Sequence, residues 1–87
     1  MNISELREKI DTLDDEIVSM INQRIKIAFF IGIEKRKQKL PVLDKRREAQ
    51  VFDRLLKNNI SLLGNKKLTQ IFKIIMRSCK EAQKAKF

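Results

Sequence analysis

An all-α fold of three helices, the first much longer than the others, is what this sequence predicts, and three observations predict it. Ile3, Leu6, Ile10, Leu13, Ile17, Met20, Ile27 and Ile31 follow the three- and four-residue steps of one helical face. The chain holds two glycines and one proline, and that proline waits until position 41, so little interrupts a helix before it. Two shorter stretches with the same period follow Pro41.

The first helix is expected from Ser4 to about Lys37, capped by Asn2 or Ser4, with Glu5 three residues after Asn2 as in a capping box. At 1.5 Å per residue it would be about 50 Å long. A compact globule of this chain length has a radius of gyration of only about 12 Å. The helix must therefore project beyond its own subunit. Its middle is apolar over more than one face, through Val18, Ile21, Ile25, Ala28, Phe29 and Phe30. Such a surface calls for cover from a second chain, and an intertwined homodimer is expected.

Gln38 to Leu43 reads as a loop around Pro41. The second helix begins near Asp44, a natural cap, and should turn Ala49, Phe52, Leu55 and Leu56 inward. Asn58 and Asn59 end it, and Ser61 to Gly64 form a turn. The third helix starts near Asn65 with the stripe Leu68, Phe72, Ile75, Met76 and Cys79, and Gln83 lies one step further along the same line. No internal repeat or low-complexity segment is present.

Composition narrows the chemistry. With 87 residues, 36% charged and 43% hydrophobic, the chain has the make-up of one small globular domain. Histidine is absent, which removes the commonest general base and metal ligand. The one cysteine, Cys79, cannot form an internal disulfide and has no histidine to activate it, so nucleophilic catalysis is disfavoured. A reducing cytoplasm is the expected location. Met1 to Glu5 does not read as a signal peptide, and no apolar stretch is long enough to span a membrane. The net charge of +9 fits nucleic acid, an anionic surface or a small anionic ligand, or simply a solvated basic exterior.

Polar residues on core-facing lines give the sharpest lead. Arg24 breaks the first apolar stripe, and Lys35 follows eleven residues later. Eleven steps of about 100° leave only about 20° of rotation, so both cations point the same way, about 16.5 Å apart along the axis. They either pair with acids and snorkel to solvent, or hold a small ligand with two anionic groups between their tips. Glu48, with Asp44 one turn earlier and Arg47 beside it, is either a ligand group or an ordinary acidic helix start. Gln83 is either a surface amide or a donor into the same site. The set contains cations, carboxylates and an amide, without a metal cluster or a nucleophile–base pair. It suits binding a dianion and acting on it by position and electrostatics.

Read as ordered blocks, these residues resemble the all-helical chorismate mutases. Leu6-Arg7-Glu8-Lys9-Ile10-Asp11 with Leu13-Asp14 resembles that family's opening. Gln23-Arg24 and Gly32-Ile33-Glu34-Lys35 match the next blocks. Pro41-Val42-Leu43-Asp44-Lys45-Arg46-Arg47-Glu48 matches the loop and second helix, and Ile71-Phe72-Lys73-Ile74-Ile75 with Gln83 the third. The resemblance covers nearly the whole chain and implies one domain over 1–87. It implies a three-helix protomer in an intertwined homodimer that rearranges chorismate to prephenate on the way to phenylalanine and tyrosine, without a cofactor. It implies that Arg24 binds a substrate carboxylate and that Arg7 does so in the other subunit's site. Lys35 would reach the ether oxygen and a carboxylate, and Gln83 would donate to the same oxygen. Glu48 would hold the ring hydroxyl, with Asp44 nearby and Arg47 in support.

One departure stands out. By its spacing from Phe72, Cys79 occupies a place where the family often has a serine that contacts a carboxylate. A thiol is a weaker donor, and Ser78 points about 100° away. Two other functions remain to be separated. A member of the same fold that eliminates pyruvate from isochorismate needs the same lysine and similar clamps, although Glu48 with Gln83 favours the mutase. A basic helical dimer on nucleic acid would explain the charge, but the aromatics are five phenylalanines, mostly on apolar lines, and no reading helix is recognisable.

Overall fold

The computed structural model describes residues 1–59 and 62–85, and among them are three helices and no strand. They are α1 (Ile3–Lys37), α2 (Lys45–Lys57) and α3 (Asn65–Lys84). The all-α expectation holds, and α1 and α2 begin where their capping residues place them. Asn2 caps α1, its side chain accepting from the Glu5 N–H at 2.8 Å. Asp44 caps α2 in the same way, accepting from the Arg47 N–H at 3.0 Å. Asn58 closes α2, as expected. Of the turn expected over Ser61 to Gly64, Ser61 lies outside the described residues. Asn59 donates to the Leu63 carbonyl and to Asn65 Oδ1, both at 2.8 Å, and so ties the end of α2 to the start of α3.

The end of α1 is a Schellman turn. Leu40 N–H reaches back to the Lys35 carbonyl at 2.8 Å and Lys39 N–H to that of Arg36 at 3.2 Å, with Lys39 at φ 57° between them. This turn brings the loop back over the last part of α1, where the Val42 carbonyl meets Lys35.

α3 packs along the C-terminal half of α1 and runs in the same direction, because Cys79 sits by Arg24 and Gln83 by Lys35. α2 packs on α3. The face of α1 that takes α3 passes through Ala28 and Gly32, both buried, flanked by half-buried Ile21 and Ile25. Small residues there let two helices approach closely. In α2 the buried position is Val51, at 3% exposure, whereas Ala49, expected inward, is exposed. The inward line of this helix runs Glu48, Val51, Phe52, Leu55 rather than through Ala49, which lies about 100° from Glu48.

The long apolar stripe of α1 is not the face that meets α3. Every residue from Met1 to Met20 is exposed. Leu13 and Ile17 stand at 55% and 56%, and the stripe continues exposed through Ile27 and Ile31. The molecule is correspondingly extended, 55 × 31 × 15 Å, with a radius of gyration of 16.2 Å. No helix among the described residues is long and apolar enough to cross a membrane.

Candidate active site

Three helices and one loop converge on a pocket of about 430 Å³ beside the C-terminal half of α1. From α1 come Arg24 and Lys35, with Ile27, Ala28 and Ile31 forming an apolar floor between them. The first turn of α2 adds Asp44, Arg47 and Glu48, and the last turns of α3 add Cys79, Lys80 and Gln83. Seven of the eight residues singled out from the sequence thus line one space. The eighth, Arg7, lies on the uncovered end of α1, about 25 Å along the axis from Arg24.

Lys35 is fixed by two acceptors. Its Nζ donates to the Val42 carbonyl and to Gln83 Oε1, both at 2.8 Å. An ammonium has three donors and no acceptor. One N–H therefore stays available, and the amide of Gln83 must turn its oxygen to Lys35. Its NH₂ group is then left as donor. Within the pocket this pair presents donor hydrogens only.

The last turn of α3 is held against α1 by two features absent from the sequence reading. A Cβ on Gly32 would overlap the Gln83 backbone, lying 2.6 Å from its Cα and closer still to its carbonyl oxygen. Position 32 therefore has no room for a side chain. One turn further, Arg36 Nη1 donates to the Gln83 carbonyl at 3.0 Å, serving a carbonyl that the helix end leaves without its own partner. Together they set where Gln83 stands relative to Lys35.

At the other end, Arg24 Nη1 donates to Cys79 Sγ at 2.8 Å. Cys79 is 4% exposed. Its sulfur acts here as an acceptor that orients the guanidinium. Ser78 is not among the pocket residues, in line with its angular offset.

Glu48 is paired with Lys80, Oε1 to Nζ at 2.9 Å, with both side chains one-third exposed. Lys80 also escaped the sequence reading. Its spacing of four from Met76 and three before Gln83 was the signal that could have found it. Among the described residues, four cationic side chains and two carboxylates line the pocket: Arg24, Lys35, Arg47 and Lys80 against Asp44 and Glu48. Coulombic attraction between a net positive, partly dry pocket and a dianion is far stronger than in bulk water. An apolar floor between two cationic ends suits a small ligand with an apolar body and two anionic groups.

Comparison with known proteins gives a consistent picture. The family model described as chorismate mutase type II matches residues 6–84. A bifunctional chorismate mutase/prephenate dehydratase of Aquifex aeolicus is 34% identical over 86 residues, covering 94% of this chain and 24% of that protein. The chain thus spans about a quarter of the length of this relative. The solved structure of chorismate mutase (Form II) from Thermus thermophilus superposes with a TM-score of 0.92 at 23% identity, over 97% of this chain and 96% of that one. Chorismate mutase from Helicobacter pylori, solved in complex with prephenate, gives 0.83 at 27% identity, over 93% and 88%.

Proposed function

This chain belongs to the chorismate mutase type II family, and from that premise we propose that it converts chorismate to prephenate as a homodimer. The observation that carries the reading is the Lys35–Gln83 pair, which faces a pocket whose far end holds Arg24.

The reaction is a unimolecular Claisen-type rearrangement. The ether C–O bond breaks ahead of formation of the new C–C bond, so negative charge gathers on the ether oxygen. No proton transfer, covalent intermediate or cofactor is required. Lys35, by its free N–H, and Gln83, by its NH₂ group, donate to that oxygen. Such donors act more strongly on the charged transition state than on the ground state. A single preorganised donor of this kind is worth about 3 kcal/mol. Arg24 binds the side-chain carboxylate, and with Lys35 holds the flexible enolpyruvyl group in a chair-like arrangement over the ring. Glu48 accepts from the ring hydroxyl, with Asp44 and Arg47 beside it. Cys79 sets the Arg24 guanidinium rather than contacting the ring carboxylate, and that carboxylate falls to Arg47 and to Arg7 of the partner subunit.

The same helix supports the homodimer. A stripe of large apolar side chains, exposed from Ile3 to Met20, suits a second copy of this chain laid alongside. Pairing of the long helices would bring Arg7 to the neighbouring pocket, completing a site that one chain leaves open. The reduced, buried Cys79 suits a cytoplasmic protein.

The decisive experiment follows chorismate absorbance on addition of purified protein and identifies the product. Prephenate is expected. Release of pyruvate from isochorismate, far faster than any prephenate formation, overturns the assignment in favour of the lyase.

A further inference from the structure

We propose that Lys80 is a positioning residue of this site: it holds the Glu48 carboxylate in place and offsets its charge, so that the carboxylate can accept from a ligand hydroxyl beside a dianion. This inference rests on the mutase reading above.

Three observations support it. The Lys80 ammonium meets Glu48 Oε1 at 2.9 Å, across the space between the first turn of α2 and the last turns of α3. Both side chains line the pocket and are only one-third exposed. The contact ties one carboxylate oxygen and leaves the other for a ligand hydroxyl. A carboxylate that accepts from a hydroxyl is useful in such a pocket only if its own charge does not repel the ligand, and the paired cation removes that conflict.

Attraction of this kind acts on the bound substrate and on the transition state alike, so it belongs to affinity more than to the chemical step. Lys80→Met is expected to raise KM about tenfold, the usual scale for losing one charged hydrogen-bonding partner, with kcat changed by less than about threefold. Lys80→Arg, which keeps the cation within reach, is expected to recover most of that loss. In a Glu48→Gln background, where Lys80 no longer has the Glu48 carboxylate to hold, Lys80→Met is expected to change KM by less than about twofold.

The test measures steady-state chorismate turnover for the unmodified chain, Lys80→Met, Lys80→Arg, Glu48→Gln and the Lys80→Met/Glu48→Gln double variant, each checked for helix content by circular dichroism. If the Met variant loses its helices, Lys80→Gln is read in its place. No turnover by the unmodified chain rejects the proposed function itself. With that turnover present, three results overturn the role of Lys80 alone: an unchanged KM in Lys80→Met, an Arg variant as poor as the Met variant, or an equal KM loss on the Glu48→Gln background.

Discussion

The ammonium of Lys35 and the amide oxygen of Gln83 lie 2.8 Å apart, joining the end of α1 to the end of α3 across 48 positions of sequence. Since an ammonium can pair only with the oxygen, the contact fixes which way the amide faces. Gln83→Glu replaces a constant donor with a carboxyl that donates only when protonated, and Lys35 beside it favours the ionised form. Turnover by this variant should therefore be depressed near neutrality and recover only as pH falls below about 4, since Lys35 holds the carboxyl below its ordinary range. The original chain should show little change in kcat/KM around neutrality, because an amide does not titrate. Matched pH–rate profiles check both, and a flat acid limb in the variant counts against the role of Gln83.

Removing either cationic end should stop the reaction without unfolding the helices. Lys35→Ala and Arg24→Ala are expected to lower kcat/KM by about a hundredfold or more, the range seen when a preorganised donor is lost. Far-UV circular dichroism should stay helical. Full activity in either variant refutes the assignment of the site.

Gly32→Ala probes the close approach of α1 and α3. Its Cβ would overlap the Gln83 backbone, so the last turn of α3 must move outward and Gln83 with it. Overpacking of this kind costs about 1–3 kcal/mol. Thermal melts should show the loss, and kcat should fall further than KM changes, since the displaced group is the proposed transition-state donor. Arg36→Ala, which removes only the hydrogen bond to the Gln83 carbonyl, should act the same way with a smaller effect, about 1 kcal/mol.

Mixing two crippled chains tests where Arg7 acts. Arg7→Ala and Arg24→Ala should each be nearly inactive as homodimers. If the proposed dimer forms, unfolding and refolding the two together should give mixed dimers with one intact site, built from Arg24 of one chain and Arg7 of the other. Random pairing makes half the dimers mixed, so about one quarter of the original activity should return. If none returns although mixed dimers form, Arg7 does not serve the neighbouring site. Leu13→Glu, placed on the uncovered stripe, should abolish assembly in sedimentation measurements, and turnover with it.

Lys39 carries the strain of the Schellman turn, with φ at 57° in a residue that has a side chain. Lys39→Gly relieves that strain, offset in part by the greater freedom glycine has in the unfolded chain. A net gain of about 0.5–1 kcal/mol in chemical denaturation is expected, with turnover unaffected because Lys39 lies outside the pocket.

Much of the fold was legible in local patterns. Asn2, Asp44 and Asn58 mark helix ends by chemistry that acts within a few residues, and each sits at the expected boundary. The three- and four-residue steps identified the helices for the same reason. Periodicity was less able to say which apolar face meets which neighbour. The stripe from Ile3 to Ile31 looked like the inner face, yet α3 chose the adjacent face through Ala28 and Gly32. Small residues bury little area each, so they score weakly as a stripe, although they permit the closest packing. Val51 was likewise passed over for Ala49, because a helix of thirteen residues leaves the phase of its buried line loosely determined.

By itself, the sequence determined three helices, a first helix longer than a compact globule of this size, and two cations on one line of that helix. These follow from spacing and from residue chemistry, which need no knowledge of distant partners. Only the tertiary structure decided that Lys35 is anchored by Val42 and Gln83, that Arg24 is turned by the Cys79 sulfur, and that Lys80 faces Glu48. Those pairings depend on how α3 lies against α1 and α2. A difference of one residue in that register rotates every side chain of α3 by about 100° and would have placed other groups in the pocket.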